Sequence, residues 1–199
     1  MRFVLLLVIA LAIAFGLGGW SAEQALDAKA GGGSVTVGVW MADPDAGSPD
    51  ADPYAKALLA RTGNLTLGIG EGISFHAAHD AAGAPLSRSC AYRLSGSTPL
   101  ARVWSLAAYD ARGRLVSPGA GRPGWLVSST LMRHEDNSFE VAVSPRARAG
   151  NWLSVSGEGR FTLVLTLYDT PASSTTGLGR LQLPDIVRET CIEEGRGRG

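Results

Sequence analysis

Between Asn151 and Pro171 the sequence NWLSVSGEGRFTLVLTLYDTP settles into a period of two. Phe161, Leu163, Leu165 and Leu167 fall on one side, and Thr162, Val164, Thr166 and Tyr168 on the other. Successive side chains of an extended chain point to opposite sides, so this predicts a long strand with one apolar and one mixed face. A strand of that kind needs a second layer over its leucines, which the rest of the chain must supply.

The same period recurs from Leu65 onward. LTLGIGEGISFHAAHD, LSRSCAYRLSG, ARVWSLAAYD, RLVSP, WLVSSTLMR, FEVAVSP and RLQLPDIVRETC are apolar or alternating stretches parted by turn-forming residues. About eight strands at regular spacing predict a mainly β fold, a jelly-roll-like antiparallel β-sandwich. One short helix precedes them. Asp52 suits its N-cap and Pro53 its first position, with Tyr54, Ala57, Leu58 and Arg61 at helical spacing and Gly63-Asn64 as its end. A helix this short is expected to pack on the sheet.

The opening segment follows another pattern. Phe3 to Trp20 is apolar throughout, and the first charge beyond it is Glu23. As a helix it spans roughly 27 Å, close to a ~30 Å hydrocarbon core. It reads as a single transmembrane anchor, with a cleaved secretory signal as the alternative. Arg2 before the span and Glu23 and Asp27 after it keep the N-terminus in the cytoplasm. The expected location is a bacterial inner membrane, entered through residues 3–20, with the C-terminal domain in the periplasm. The expected organisation is an anchor or signal at 1–22, a linker at 23–51, a β domain at 52–191 and a disordered tail at 192–199. Within the linker, VTVGVW alternates and suits an edge strand.

Composition narrows the partners. The chain has 199 residues, 45% hydrophobic, enough for one domain with a core. Its 18 basic and 18 acidic residues cancel, so no global field recruits nucleic acid. Lys29 and Lys56 are the only lysines, a bias that composition alone does not explain. In an oxidising compartment Cys90 and Cys191 have one internal pairing available, closing a loop of about 100 residues worth up to ~4.7 kcal/mol in the chain-entropy model. Two separate buried thiols are the other reading.

No motif assembles an obvious reaction centre. His76 and His79 form HAAH, but positions three apart on a strand face opposite ways and do not chelate together, so no metal site is assigned. Gly119, Gly121 and Gly124 match a dinucleotide fingerprint, but Pro123 and a following strand-like run make it a loop. Gly68, Gly70 and Gly72 suggest a bulge or a close backbone approach. No nucleophile elbow or zinc-protease motif occurs, and no cofactor is implied. Glu71, between glycines, is a candidate binding acid, either buried against an arginine such as Arg93 or simply facing solvent. Tyr109 and Trp152, among the aromatics, complete a candidate binding set.

Several pieces together resemble one family: DPYAKA at Asp52–Ala57, the Glu71 region, CAYRLSG at Cys90–Gly96, ARVWSLAAYD at Ala101–Asp110, and NWL with FTLVLTLYDTP at Asn151–Pro171. The chain resembles the domain-of-unknown-function family 1214 in a short membrane-anchored bacterial form. The resemblance implies a jelly-roll-like sandwich over residues 52–191, without the companion domain 1254 of longer relatives. It carries over no catalytic residue. Ser154 stands where relatives favour proline, and Ala107-Ala108 is thin for its strand.

Two functions remain in view: an anchored, non-enzymatic envelope domain that binds an envelope protein or a small apolar ligand, and an envelope hydrolase with a cleft near Glu71. A deep pocket joining Glu71, Arg93 and aromatic side chains favours the second. A filled interior with a flat exposed face favours the first.

Overall fold

The computed structural model describes residues 2–27, 34–62, 66–68, 70–173 and 181–191. Helix α1 (Arg2–Asp27) comes first, followed by strands β1 (Val35–Val37) and β2 (Trp40–Ala42) and helix α2 (Pro53–Thr62). Then come β3 (Gly72–Ala77), β4 (Cys90–Gly96), β5 (Val103–Asp110) and β6 (Trp125–Val127). The chain continues through β7 (Phe139–Ser144), β8 (Asn151–Ser154), β9 (Phe161–Tyr168), a 3-10 turn (Pro171–Ser173) and β10 (Asp185–Cys191). The Gly31–Gly33 run, the Gly63-Asn64 helix end and the 192–199 tail lie outside the described residues.

Contacts divide the chain into two units, residues 1–33 with 45–66, and residues 34–44 with 67–199. In the first unit, α1 exposes every side chain from Arg2 to Gln24, a stretch long and apolar enough to cross a membrane. α2 begins as the sequence predicts: the Asp52 carboxylate accepts the N–H groups of Tyr54 at 2.8 Å and Ala55 at 3.1 Å. It belongs to the same unit as α1.

The second unit is mainly β, with strands in two sheets of order β1-β2-β3-β9-β5-β6 and β10-β4-β7-β8. β9 pairs antiparallel with β3 on one side and β5 on the other. Its burial alternates as its sequence does: Phe161, Leu163, Leu165 and Leu167 are buried while Thr162, Val164 and Thr166 are half-buried. Phe75, Leu165 and Leu106 lie side by side across three strands, all fully buried. Leu94, Val141, Val143, Leu153 and Ile186 of the other sheet belong to the same core cluster.

Two aromatic pairs join the layers at opposite ends of β9. Tyr92 meets Phe161 edge-on at 5.8 Å, and Trp104 meets Phe139 at 4.9 Å. Each pair is capped by an arginine. Arg188 lies 5.5 Å from the Tyr92 ring, and Arg133 lies 5.8 Å from Trp104 and 5.7 Å from Phe139.

The hairpin β1–β2 lies within the segment read as linker, yet it extends the six-stranded sheet, and Trp40 is only 1% exposed. The Trp40 indole N–H donates to the carbonyl of Pro184 at 2.7 Å. Gly72 shows the close approach its neighbourhood suggests, since a Cβ there would lie 2.1 Å from the Leu167 carbonyl oxygen. Cys90 and Cys191 are direct register partners on β4 and β10 and form a disulfide.

Three details differ from the sequence reading. The strand predicted from Trp125 stops at Val127; beyond it the Ser128 N–H still donates to the Trp104 carbonyl at 2.9 Å, but the Trp104 N–H goes to the Ser128 hydroxyl at 3.1 Å. Arg114–Pro118 is reduced to a bridge between Leu115 and Tyr109. One pair is parallel instead of antiparallel: β8 runs alongside β7, with Val141 opposite Asn151 and Ser144 opposite Ser154. Parallel neighbours ordinarily need a longer crossover. Here the overlap is four residues, roughly 10 Å of return travel, which the short PRARAG connection spans.

Candidate functional site

The four residues singled out from sequence do not converge. Glu71 is exposed in the turn before β3. Its Oε2 accepts the Gly68 N–H at 2.9 Å and its carbonyl accepts the Asp169 N–H at 2.8 Å, so it closes a turn. Arg93 belongs to the other sheet and pairs instead with Glu189, Nε to Oε1 at 3.3 Å. Glu189 also faces Arg148 at 3.7 Å. Of the two readings of Glu71 the solvent-facing one holds, and Arg93 stands on the other sheet with Glu189 as its partner.

Arg93 and Trp152 do share a row. Val187, Arg93, Ala142 and Trp152 stand in register across the four-stranded sheet. The Trp152 indole donates to the Ser144 carbonyl at 3.1 Å, and the Arg122 guanidinium lies 6.0 Å from its ring centre. With Glu140, Asp185 and Glu189, this outer face is charged.

Tyr109 stands on the outer face of the six-stranded sheet, opposite Thr162. Register shows what alternation alone did not: one row, Thr36–Met41–His76–Val164–Ala107–Trp125, crosses all six strands. The next row is Ser74–Thr166–Ser105–Val127, with the Ser74 and Thr166 hydroxyls 3.1 Å apart. Tyr168 with Val103 and Thr162 with Tyr109 complete the face. None of these outward positions is Asp, Glu, Lys or Arg, whereas a soluble surface is roughly a quarter to a third charged. Trp125 is 60% and Met41 47% exposed.

An open groove of about 360 Å³ lies elsewhere, lined by Val37–Trp40, Ser95–Ser97 and Leu181–Asp185. None of Glu71, Arg93, Tyr109 or Trp152 lines it, and Asp185 is its one ionisable side chain. His76 is on the uncharged face and exposed; His79 bridges to Pro85; His134 is in the turn before β7. Gly119, Gly121 and Gly124 lie in the loop before β6, as their context indicated. Sequence reading of HAAHD weighed the histidines and passed over Asp80, a buried acid that pairs with Arg188. Its only sequence signal was the turn that follows it.

A solved structure supports the fold. The chain is similar to the VPA0106 protein from Vibrio parahaemolyticus, with a TM-score of 0.57 at 21% identity, over 71% of this chain and 36% of that one. It is also similar to an uncharacterised protein from Burkholderia cenocepacia, with a TM-score of 0.40 at 17% identity, over 76% of this chain and 46% of that one. The chain thus spans less than half the length of either. No curated protein matches. The sequence model of the family described as "Protein of unknown function (DUF1214)" matches residues 71–172, from the Glu71 turn to the end of β9 and just beyond. That match takes in half of the chain, and the protein belongs to this family.

Proposed function

We propose that this protein is a bacterial cell-envelope component whose single span, residues 3–20, holds the β unit on the periplasmic side of the inner membrane. There it binds a protein partner through the outer face of its six-stranded sheet. The uncharged face carries the reading: a row across six strands without one formal charge, on a chain whose other sheet is charged outside. Faces depleted of charge and bearing exposed aromatics are what interface cores use. The exposed apolar α1, the charges that flank it and the Cys90–Cys191 bridge support the location. A cleaved signal would put the same unit in the same compartment without the leash.

The hydrolase reading loses its support, because Glu71 closes an exposed turn and the open groove lies away from it. Two measurements test the proposal. Alkaline carbonate should leave the full chain in the membrane pellet, with the β unit digested by protease only in spheroplasts whose outer membrane is removed. Release as a shorter soluble form removes the anchor. Pull-down from solubilised membranes should retain a specific protein that is lost with Val164→Arg. Unchanged capture by that variant removes the face.

A further inference from the structure

We infer that α2 is a foot in the phospholipid headgroup layer, its Arg61 guanidinium set against lipid phosphodiesters. The inference rests on reading residues 3–20 as an uncleaved span. Depth follows from α1. Its apolar run ends at Trp20, an aromatic of the kind that marks a membrane boundary. Glu23 follows on the same helix, about 4.5 Å further along at a rise of roughly 1.5 Å per residue. The headgroup layer extends about 5–7 Å beyond the hydrocarbon on each side. Glu23 is therefore inside that layer, and so is any group that touches it. Arg61 of α2 is such a group, its Nη2 lying 3.9 Å from Glu23 Oε1.

The chemistry of α2 suits that depth. Tyr54, Ala57 and Arg61 recur at helical spacing and form one exposed stripe. Tyr54 is 50% exposed and the Arg61 side chain 51%. On the far side of the helix Ala55 is buried and Leu59 half-buried. One face is thus already covered by protein, and the aromatic and the cation turn outward together. Tyrosine brings an apolar ring with a polar tip, and arginine a fork that fits two phosphate oxygens. An exposed ion pair with Glu23 contributes little by itself, and a phosphodiester gives Arg61 a further acid at the same depth. No Asp or Glu lies between Pro53 and Thr62, but Asp50 and Asp52 stand at the start of the helix. The group recognised is therefore the phosphodiester that phospholipids share, with no requirement for a net anionic headgroup.

The test uses the full chain in phospholipid vesicles. Cys90 and Cys191 are bridged, so Ala57→Cys supplies one free thiol for an environment-sensitive fluorophore. Lipid with a nitroxide on its headgroup should quench most of that fluorescence, and aqueous iodide little of it. Arg61→Glu, which sets like charges against Glu23 and the phosphates, should reverse the order. Quenching by iodide alone overturns the inference, as does an order that Arg61→Glu leaves unchanged. The Ala57→Cys readout stands by itself if Arg61→Glu disturbs folding, which a lost melting transition would reveal. Alkaline carbonate separates this failure from failure of the span. If carbonate releases the chain, the anchor is wrong and the inference falls with it. If the chain stays in the membrane while the label answers only to iodide, the span stands and the foot does not.

Discussion

Asp80 and Arg188 meet as an ion pair, Oδ2 to Nε at 2.9 Å, in which the carboxylate is only 2% exposed. The other carboxylate oxygen accepts the N–H groups of Ala82 at 3.1 Å and Ala84 at 2.9 Å. Arg188 also donates to the Pro85 carbonyl at 2.7 Å. One buried acid thus ties the loop after β3 to the last strand. Asp80→Ala should cost about 3 kcal/mol, the low end for breaking a buried pair because Arg188 is partly solvated. Urea midpoints would show it, and adding Arg188→Met should cost less than the sum of the single changes. A midpoint for Asp80→Ala equal to wild type would rule out this role.

Leu165 has a fully buried neighbour on each side, Phe75 on β3 and Leu106 on β5. Leu165→Ala should lose about 2–5 kcal/mol, transfer and cavity together. Leu165→Asp places an unpaired charge there and should abolish the cooperative transition in a thermal melt. A normal melt for that variant would contradict the placement of β9.

The disulfide closes a loop with a sequence separation of 101. Cys90→Ser with Cys191→Ser should lower stability by up to ~4.7 kcal/mol, seen as a reduced denaturant midpoint. Wild-type protein should also run faster on non-reducing than on reducing gels, and equal mobility would show the thiols unpaired.

Asp110 ends β5 and closes the following turn. Its Oδ1 accepts the Arg114 and Arg112 N–H groups, both at 2.9 Å, and its Oδ2 takes a two-pronged contact from the Arg114 guanidinium at 3.1 and 2.9 Å. The Arg114 backbone bond first, then its side chain, hold this carboxyl below the usual carboxylate range, against some desolvation. The native state therefore binds fewer protons. The stability this confers is present above the ordinary value near ~4 and is lost as pH falls toward the native one. Asp136 moves the same way, held mainly by the Ser138 hydroxyl. Carboxyl chemical shifts should place both midpoints below those of exposed reference acids, and Asp110→Asn should flatten the acid limb of the stability curve. An Asp110 midpoint in the ordinary range would contradict the assignment.

The parts of the fold legible in the sequence are those that local pattern determines. The faces of β9 follow from alternation, the start of α2 from Asp52-Pro53, and the bridge from having two cysteines. Partition into sheets was not legible, because β3 pairs with a strand far along the chain and β8 lies parallel to its predecessor. That partition separates Glu71 from Arg93, which look matched in one dimension. The uncharged face has the same origin. Thr36, His76, Val164 and Trp125 are unremarkable alone and form a row only once register is fixed. The near-exclusive use of arginine also acquires a reason in part. Arg122, Arg133 and Arg188 lie over aromatic rings, a role for which a planar fork suits better than an ammonium.

Because β9 joins β3 to β5, the halves β1-β2-β3 and β5-β6 stay unjoined until residues 161–168 have been made. Everything synthesised before that point lacks the middle of its larger sheet, and such long-range pairing folds slowly. The two halves of the larger sheet therefore have no hydrogen-bonded link to each other until a strand near the end of the chain arrives.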